Sequence, residues 1–333
     1  MIRDARVLQD DFLPQEVQHR EAEVTQLSTT LAALTRGEAP ETAFLSGPSG
    51  VGKTCIAKFT VDRLREELID VNHQYINCWE DYNRYRTLYR ILEGIGQTLD
   101  VHRQSTPLDE LLERVRSYDG PPYVVILDEV DQLEDTSVLY DLYNTPRIHM
   151  VLIANEEDDL FAELEERVRS RLLSSVRVRF ERYHLEELVT ILEDRARWGL
   201  SEGAIGKQQL ALIGDAAAGD ARVAIGILRN AARRAQQANA DTISFEMVHE
   251  SIPRGKAEVR RKAVGKLHPH QHALYEILRE AGELSPGELY ERYTENVENP
   301  KTKRTVRNYL TKMDHYGLVI AEGTNRGRTY RPQ

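Results

Sequence analysis

Five short apolar runs, each separated from the next by a stretch with helical periodicity, organise the first 180 positions of this chain. They are TAFLS (42–46), HQYINC (73–78), YVVILD (123–128), IHMVLIAN (148–155) and SVRVRF (175–180). Runs of this length alternating with helices predict a mostly parallel sheet, because parallel strands need a crossover between them. The fold class predicted is therefore α/β, a three-layer domain over residues 1–182. Strand signals then cease. Helical patterns such as HLEELVTILEDRARWGL and ARVAIGILRNAARRAQQA, separated by glycines, predict a small helical domain over 183–252. PRGKAEVRRKAVGKL (253–267) is basic and holds a proline and two glycines, so a linker is placed at 253–265 and a last domain at 266–333.

That last segment reads as three helices and a hairpin, a winged-helix pattern. Its second helix opens with SPGE, in which Ser285 can cap, Pro286 suits the first helical position and Glu288 completes a capping box. In the third, Val306, Tyr309, Leu310 and Met313 share one face, and Arg304, Arg307, Asn308 and Thr311 share the other. After Gly317, LVIAEGTNRGRTYR reads as two strands around a Gly/Asn turn.

Charge sharpens this division. Residues 254–333 carry 16 basic against 10 acidic residues, a net of +6, which leaves −16 for the rest of a chain whose total is −10. Only 9 of the 44 basic residues are lysine, and six of those lie after residue 254. An acidic, arginine-rich, lysine-poor body predicts a protein of a high-salt cytoplasm, where strong surface charge keeps a chain dissolved. No run of about 18 apolar residues is present, and MIRDARVLQDDF lacks the apolar core of a signal peptide. A cytoplasmic location with no membrane partner is expected. The two cysteines, Cys55 and Cys78, have no metal-ligand spacing.

The chemistry centres on SGPSGVGKT (46–54), which fits the phosphate-binding pattern G-x-x-x-x-G-K-[ST] between a strand and a helix. The loop residues Gly47, Pro48, Ser49, Gly50, Val51 and Gly52, with Cys55, are expected to cradle polyphosphate at a helix N-terminus, through backbone N–H groups at every position but Pro48, which has none. Lys53 can bridge the β- and γ-phosphates and the Thr54 hydroxyl can ligate Mg²⁺. VVILDEVD supplies the second requirement: Asp128 to hold the Mg²⁺ shell and Glu129 to orient or activate the attacking water. Asn155, at the end of HMVLIAN, could position that water against the γ-phosphate. ATP and ADP are thus the expected ligands.

LPQEVQHREAEVTQL, GPSGVGKT, ILDEVDQL, ANEED, LEERVRSRL and GDARVAIGILRNAA occur in this order, followed by the winged-helix pattern. With these motifs the chain resembles the AAA+ ATPases and, within them, the archaeal origin-recognition and cell-division-control replication initiators. The resemblance implies an AAA+ domain with a helical lid and a winged helix. It makes Lys53 and Thr54 nucleotide-loop residues, Asp128 and Glu129 the second nucleotide motif and Asn155 the first sensor. Arg222 is implied as the second sensor, Arg171 as a finger presented to a neighbour's nucleotide, and Tyr183 as an adenine contact. The resemblance also implies that Arg195 lines the nucleotide and that Pro14 and Arg20 lie in the segment that wraps the base. Residues 80–105 correspond to a helical insertion that touches DNA in the family. The implied partners are double-stranded DNA bearing replication origin repeats and the replicative helicase, with self-association on DNA.

Residues 301–331 hold eight basic residues against Asp314 and Glu322. Lys303, Arg304, Arg307 and Asn308 are assigned to the groove-facing side of a recognition helix, and Arg326 and Arg328 to the wing. HPHQH (268–272) offers a metal reading, but without a nearby cysteine or carboxylate cluster. The expected function is ATP-dependent recognition of origin DNA, with slow hydrolysis as a switch. An ATP-sensing winged-helix transcription regulator and an AAA+ DNA motor or loader use the same modules and stay open at this point.

Overall fold

The computed structural model describes residues 1–68, 70–102, 106–323 and 327–333. Chain contacts divide into two units, Met1–Lys256 and Ala257–Gln333.

In the first unit all five apolar runs are strands: β1 (Ala43–Ser46), β2 (Asn72–Asn77), β3 (Tyr123–Asp128), β4 (Ile148–Ala154) and β5 (Val176–Arg179). They form one parallel sheet in the order β2-β3-β4-β1-β5. Side chains alternate between faces. Phe44, Leu127 and Leu152 enter one core with the helices Arg84–Gly94, Leu108–Arg116 and Ser137–Tyr143. Leu45, Ile126 and Ile153 enter the other, against Glu21–Leu31 and Lys53–Glu67. Burial on both faces explains why the central runs are continuously apolar. The register sets Ser46 beside Ala154 and Asn77 beside Asp128, so the carboxyl ends of β1, β3 and β4 finish together. A crevice at the strand ends is where open α/β sheets bind ligands.

Helices Leu185–Gly199, Lys207–Ala217 and Ala221–Gln237, with the start of Phe245–Lys266, build a separate all-helical core. The first residues of the chain complete it. Ile2 makes an antiparallel bridge to Leu200, the Ser201 amide donates to the Met1 carbonyl at 2.8 Å, and Leu8 is buried among the lid helices. Pro253 and Gly255, read in the sequence as part of a connector, lie inside the helix Phe245–Lys266. Gly255 is buried where this helix crosses Ala221–Gln237: a Cβ on it would stand 2.6 Å from Ile227 Cγ1.

The second unit holds helices Pro269–Ala281, Pro286–Asn296 and Lys303–His315, then the antiparallel hairpin β6 (Val319–Glu322) and β7 (Thr329–Pro332). Leu284 makes an isolated antiparallel bridge to Tyr330, so three helices and a hairpin follow one another as in a winged helix. The Ser285/Glu288 capping box forms, and Val306, Tyr309, Leu310 and Met313 are the buried face of the third helix. Two of the three histidines of HPHQH belong to this packing, while His272 is exposed. His268 caps Pro269–Ala281 and lies 4.6 Å edge-on from Tyr309, while His270 hydrogen-bonds Tyr293 at 2.7 Å. Among the described residues no helix is long and apolar enough to cross a membrane.

Candidate functional site

The phosphate loop leaves β1 and enters the helix Lys53–Glu67 through backbone that only glycine adopts easily. Gly47, Gly50 and Gly52 have φ of 142°, 80° and 95°. Side chains are excluded as well as strained there. A Cβ at Gly47 would fall 2.2 Å from the Phe180 carbonyl oxygen, and one at Gly50 would fall 2.0 Å from an Asp220 carboxylate oxygen.

Lys53 is 8% exposed and donates from Nζ to the carbonyls of Gly47 (2.5 Å) and Pro48 (2.7 Å) and to Asn155 Oδ1 (3.1 Å). Burial pushes its ammonium down to about 8; the Asp128 carboxylate resists that fall and Arg222 adds to it. The Asn155 Nδ2 is buried at the cleft with no hydrogen-bond acceptor among the described residues.

Asp128 Oδ2 accepts from the Thr54 hydroxyl at 2.7 Å and from the Tyr75 hydroxyl at 2.8 Å; Oδ1 accepts from the Glu129 amide at 3.0 Å. A hydroxyl and a carboxylate side by side at the strand ends are the hard oxygen donors that suit Mg²⁺, so Thr54 and Asp128 fit that ion. Glu129 adopts a left-handed conformation (φ 56°) where β3 turns, and it lines the same cleft.

The cleft runs from the loop to the lid. Its walls include Pro14, Val17 and Gln18, residues 49–56, Asp128, Glu129, Asn155, Tyr183, Asp194, Arg195 and Arg222. Arg222 reaches down from the lid helix to donate to Ser49 Oγ at 2.5 Å, and the Ala221 amide donates to the Gly50 carbonyl at 3.0 Å. Asp220 caps that helix through the amides of Arg222 and Val223.

Other expected residues take supporting positions. Arg20 does not line the cleft. It stacks 4.2 Å over the Tyr183 ring and donates to Glu23 (2.7 Å) and the Glu181 carbonyl (2.6 Å), packing against the side chain of Tyr183, which lines the cleft. Arg195 lines the cleft, and its guanidinium donates to the carbonyls of Val7 (2.8 Å) and Phe12 (3.0 Å). Arg229, which the sequence did not single out, binds the Leu8 carbonyl at 3.1 Å in the same way. Arg171 is exposed on the helix Glu166–Leu172 and lies apart from the cleft. Tyr75 was also missed: on a strand reading YINC, only the register reveals that it reaches Asp128.

In the second unit Lys303, Arg304 and Arg307 are exposed on one helix and Asn308 is half-buried beside them. Lys303 lies 5.1 Å from the Tyr290 ring, and Arg328 lies 5.4 Å from the Tyr330 ring. Arg326 falls outside the described residues. Of residues 80–105, the helix Arg84–Gly94 buries Thr87, Leu88, Ile91 and Leu92 against the sheet domain.

A parallel sheet in this order, with a glycine-rich loop, an acidic strand end and a lid arginine on the loop, defines an AAA ATPase fold. Two family models agree: an AAA domain matches residues 38–160 and a Cdc6 AAA+ ATPase-type lid domain matches 189–252. The chain is 55% identical over 308 residues to ORC1-type DNA replication protein 1 of Halobacterium salinarum, covering 92% of this chain and 100% of that one. It is 50% identical to ORC1-type DNA replication protein 9 of the same organism, over 99% and 93% of the two chains. This chain belongs to the ORC1-type DNA replication protein family. The solved structure of the Aeropyrum pernix ORC1 protein in complex with DNA matches 99% of this chain and 92% of that one, with a TM-score of 0.76 and 29% identity. The acidic, lysine-poor composition is in keeping with a Halobacterium source for both relatives.

Proposed function

We propose that this chain is a replication initiator that binds origin DNA and helps recruit or load the replicative helicase, with bound ATP as the switch and slow hydrolysis as its reset. The observation that carries the reading is the contact of Arg222 with Ser49, because it ties the lid to the loop that would hold the phosphates. Lys53, Asn155 and the loop amides bind and orient the polyphosphate. Glu129 orients the attacking water and takes its proton. Thr54 and Asp128 hold Mg²⁺, which when bound neutralises charge on the phosphate oxygens. Tyr183, fixed by Arg20, packs on the adenine. Loss of the γ-phosphate removes a partner of Arg222, so the lid responds to the nucleotide state. Arg171, exposed and remote from its own cleft, is available to a neighbouring subunit's nucleotide.

Lys303, Arg304, Arg307 and Asn308, with the Arg328 wing, form the proposed DNA surface. The relative solved in complex with DNA supports DNA binding as such.

Genome-wide mapping of the protein on DNA in its own cells tests the reading. Native chain should give sharp peaks at replication start regions, faded in Arg304→Ala/Arg307→Ala and altered in Lys53→Ala. Peaks scattered over promoters would overturn it in favour of a transcription regulator.

A further inference from the structure

Resting on the nucleotide-site reading, we infer that Tyr75 is a positioning residue for cation-dependent ATP binding: its hydroxyl fixes the Asp128 carboxylate so that Thr54 presents its oxygen to Mg²⁺.

Asp128 is 5% exposed at the end of a central strand, and a buried carboxylate keeps a defined rotamer only where donors hold it. Here they come from three directions: Thr54 on the phosphate-loop helix, Tyr75 on β2 and the Glu129 amide. Tyr75 pairs with Ile126 and Asn77 with Asp128, so Tyr75 is the diagonal cross-strand neighbour of Asp128 on the same sheet face. The ring is itself held, with Lys58 Nζ 3.6 Å from its centroid. Lys58 lies four residues, one helical turn, beyond Thr54. The four side chains thus form a chain of contacts from Thr54 through Asp128 and Tyr75 to Lys58, whose two ends lie one turn apart on the same helix.

The consequence follows from the chemistry of a hydroxyl, which has one proton and two lone pairs. While Thr54 gives its proton to Asp128, its lone pairs are free for a cation. If Asp128 rotates, that orientation is lost. The Tyr75 hydroxyl makes no such demand on the nucleotide, so its removal acts on the metal-dependent part of binding alone.

Tyr75→Phe keeps the ring beneath Lys58 and removes only the hydroxyl. Calorimetric titration of the full chain with ATP, in EDTA and in excess Mg²⁺, separates the two contributions to affinity. We expect native-like binding in EDTA, an unchanged melting temperature, and a loss of about tenfold or more in the enhancement by Mg²⁺. Lys58→Met, which frees the ring, should show a smaller loss of the same selective kind. An unchanged Mg²⁺ enhancement in Tyr75→Phe overturns the inference. An equal loss in EDTA and Mg²⁺ does so too, since it marks a general structural role. Failure of the native chain to bind ATP in either condition defeats the nucleotide-site reading, and this inference with it, without reference to the variants.

Discussion

Arg222 and Ser49 are 173 residues apart in sequence, yet their side chains meet at 2.5 Å. A lid residue is therefore already seated on the phosphate loop. In the proposed ATP-bound site Arg222 also reaches the terminal phosphate, and replacing it with alanine removes a charge-assisted hydrogen bond of about 1.5–3 kcal/mol. ATP affinity is expected to fall roughly ten- to hundredfold, and ADP affinity much less. Calorimetric titration with both nucleotides checks this; equal losses would mean that Arg222 does not read the terminal phosphate.

Lys53 makes binding pH-dependent. Its native pKa is lowered from 10.5 to about 8 by burial. The penalty for burying its charge is fully present below about pH 8. As pH rises toward 10.5, the unfolded chain holds a proton that the native protein has shed, so this group makes the fold progressively more stable. ATP binding runs the other way, since it needs the ammonium. Affinity should fall above about pH 8, up to tenfold per pH unit, with uptake of up to one proton. Titrations in buffers of differing ionisation enthalpy measure the uptake directly, and its absence at about pH 9 would contradict the assignment.

Leu8 is 1% exposed in the lid core. Truncation to alanine should cost about 2–4 kcal/mol in urea unfolding. Trp198, on the lid helix Leu185–Gly199, offers a local fluorescence probe. A cost below about 1 kcal/mol would mean that the N-terminal segment is not part of the cooperative lid.

His268 contributes acid sensitivity to the second unit. Burial, with lesser contributions from His270, Lys301 and Lys312, lowers its pKa to about 3. The unfolded chain therefore binds a proton below about pH 6.5 that the native state refuses, and stability falls from there toward pH 3. Histidine NMR signals should show His268 untitrated at pH 5. His268→Asn, which can still cap, should flatten the stability profile.

Arg304→Ala/Arg307→Ala should weaken duplex binding and reduce the slope of log affinity against log salt by about two. A lowered affinity with an unchanged slope would place these side chains away from the phosphates.

Sheet, phosphate loop and winged-helix topology were legible because each rests on local signals: period-two and apolar runs, glycines before Lys53-Thr54, and the capping box at Ser285. What escaped depends on contacts distant in sequence. Gly255 looks like a breaker until Ile227 is seen to need its missing Cβ. Tyr75 looks like an ordinary strand residue until β2 is registered against β3. Arg195 was expected to face nucleotide, and it does line the cleft, but its hydrogen bonds go to Val7 and Phe12. No periodicity in residues 1–12 announces them as lid.

That N-terminal segment also constrains how the chain is made. Leu8 and the carbonyls held by Arg195 and Arg229 lie 183 to 221 residues from their partners. The lid cannot finish its core from contiguous sequence. Its earliest part must wait, unpaired, through synthesis of the whole ATPase sheet before Arg229 arrives. Closing so large a loop is a non-local step that must follow the synthesis of the sheet. In refolding from denaturant, lid signals should therefore trail those of the sheet.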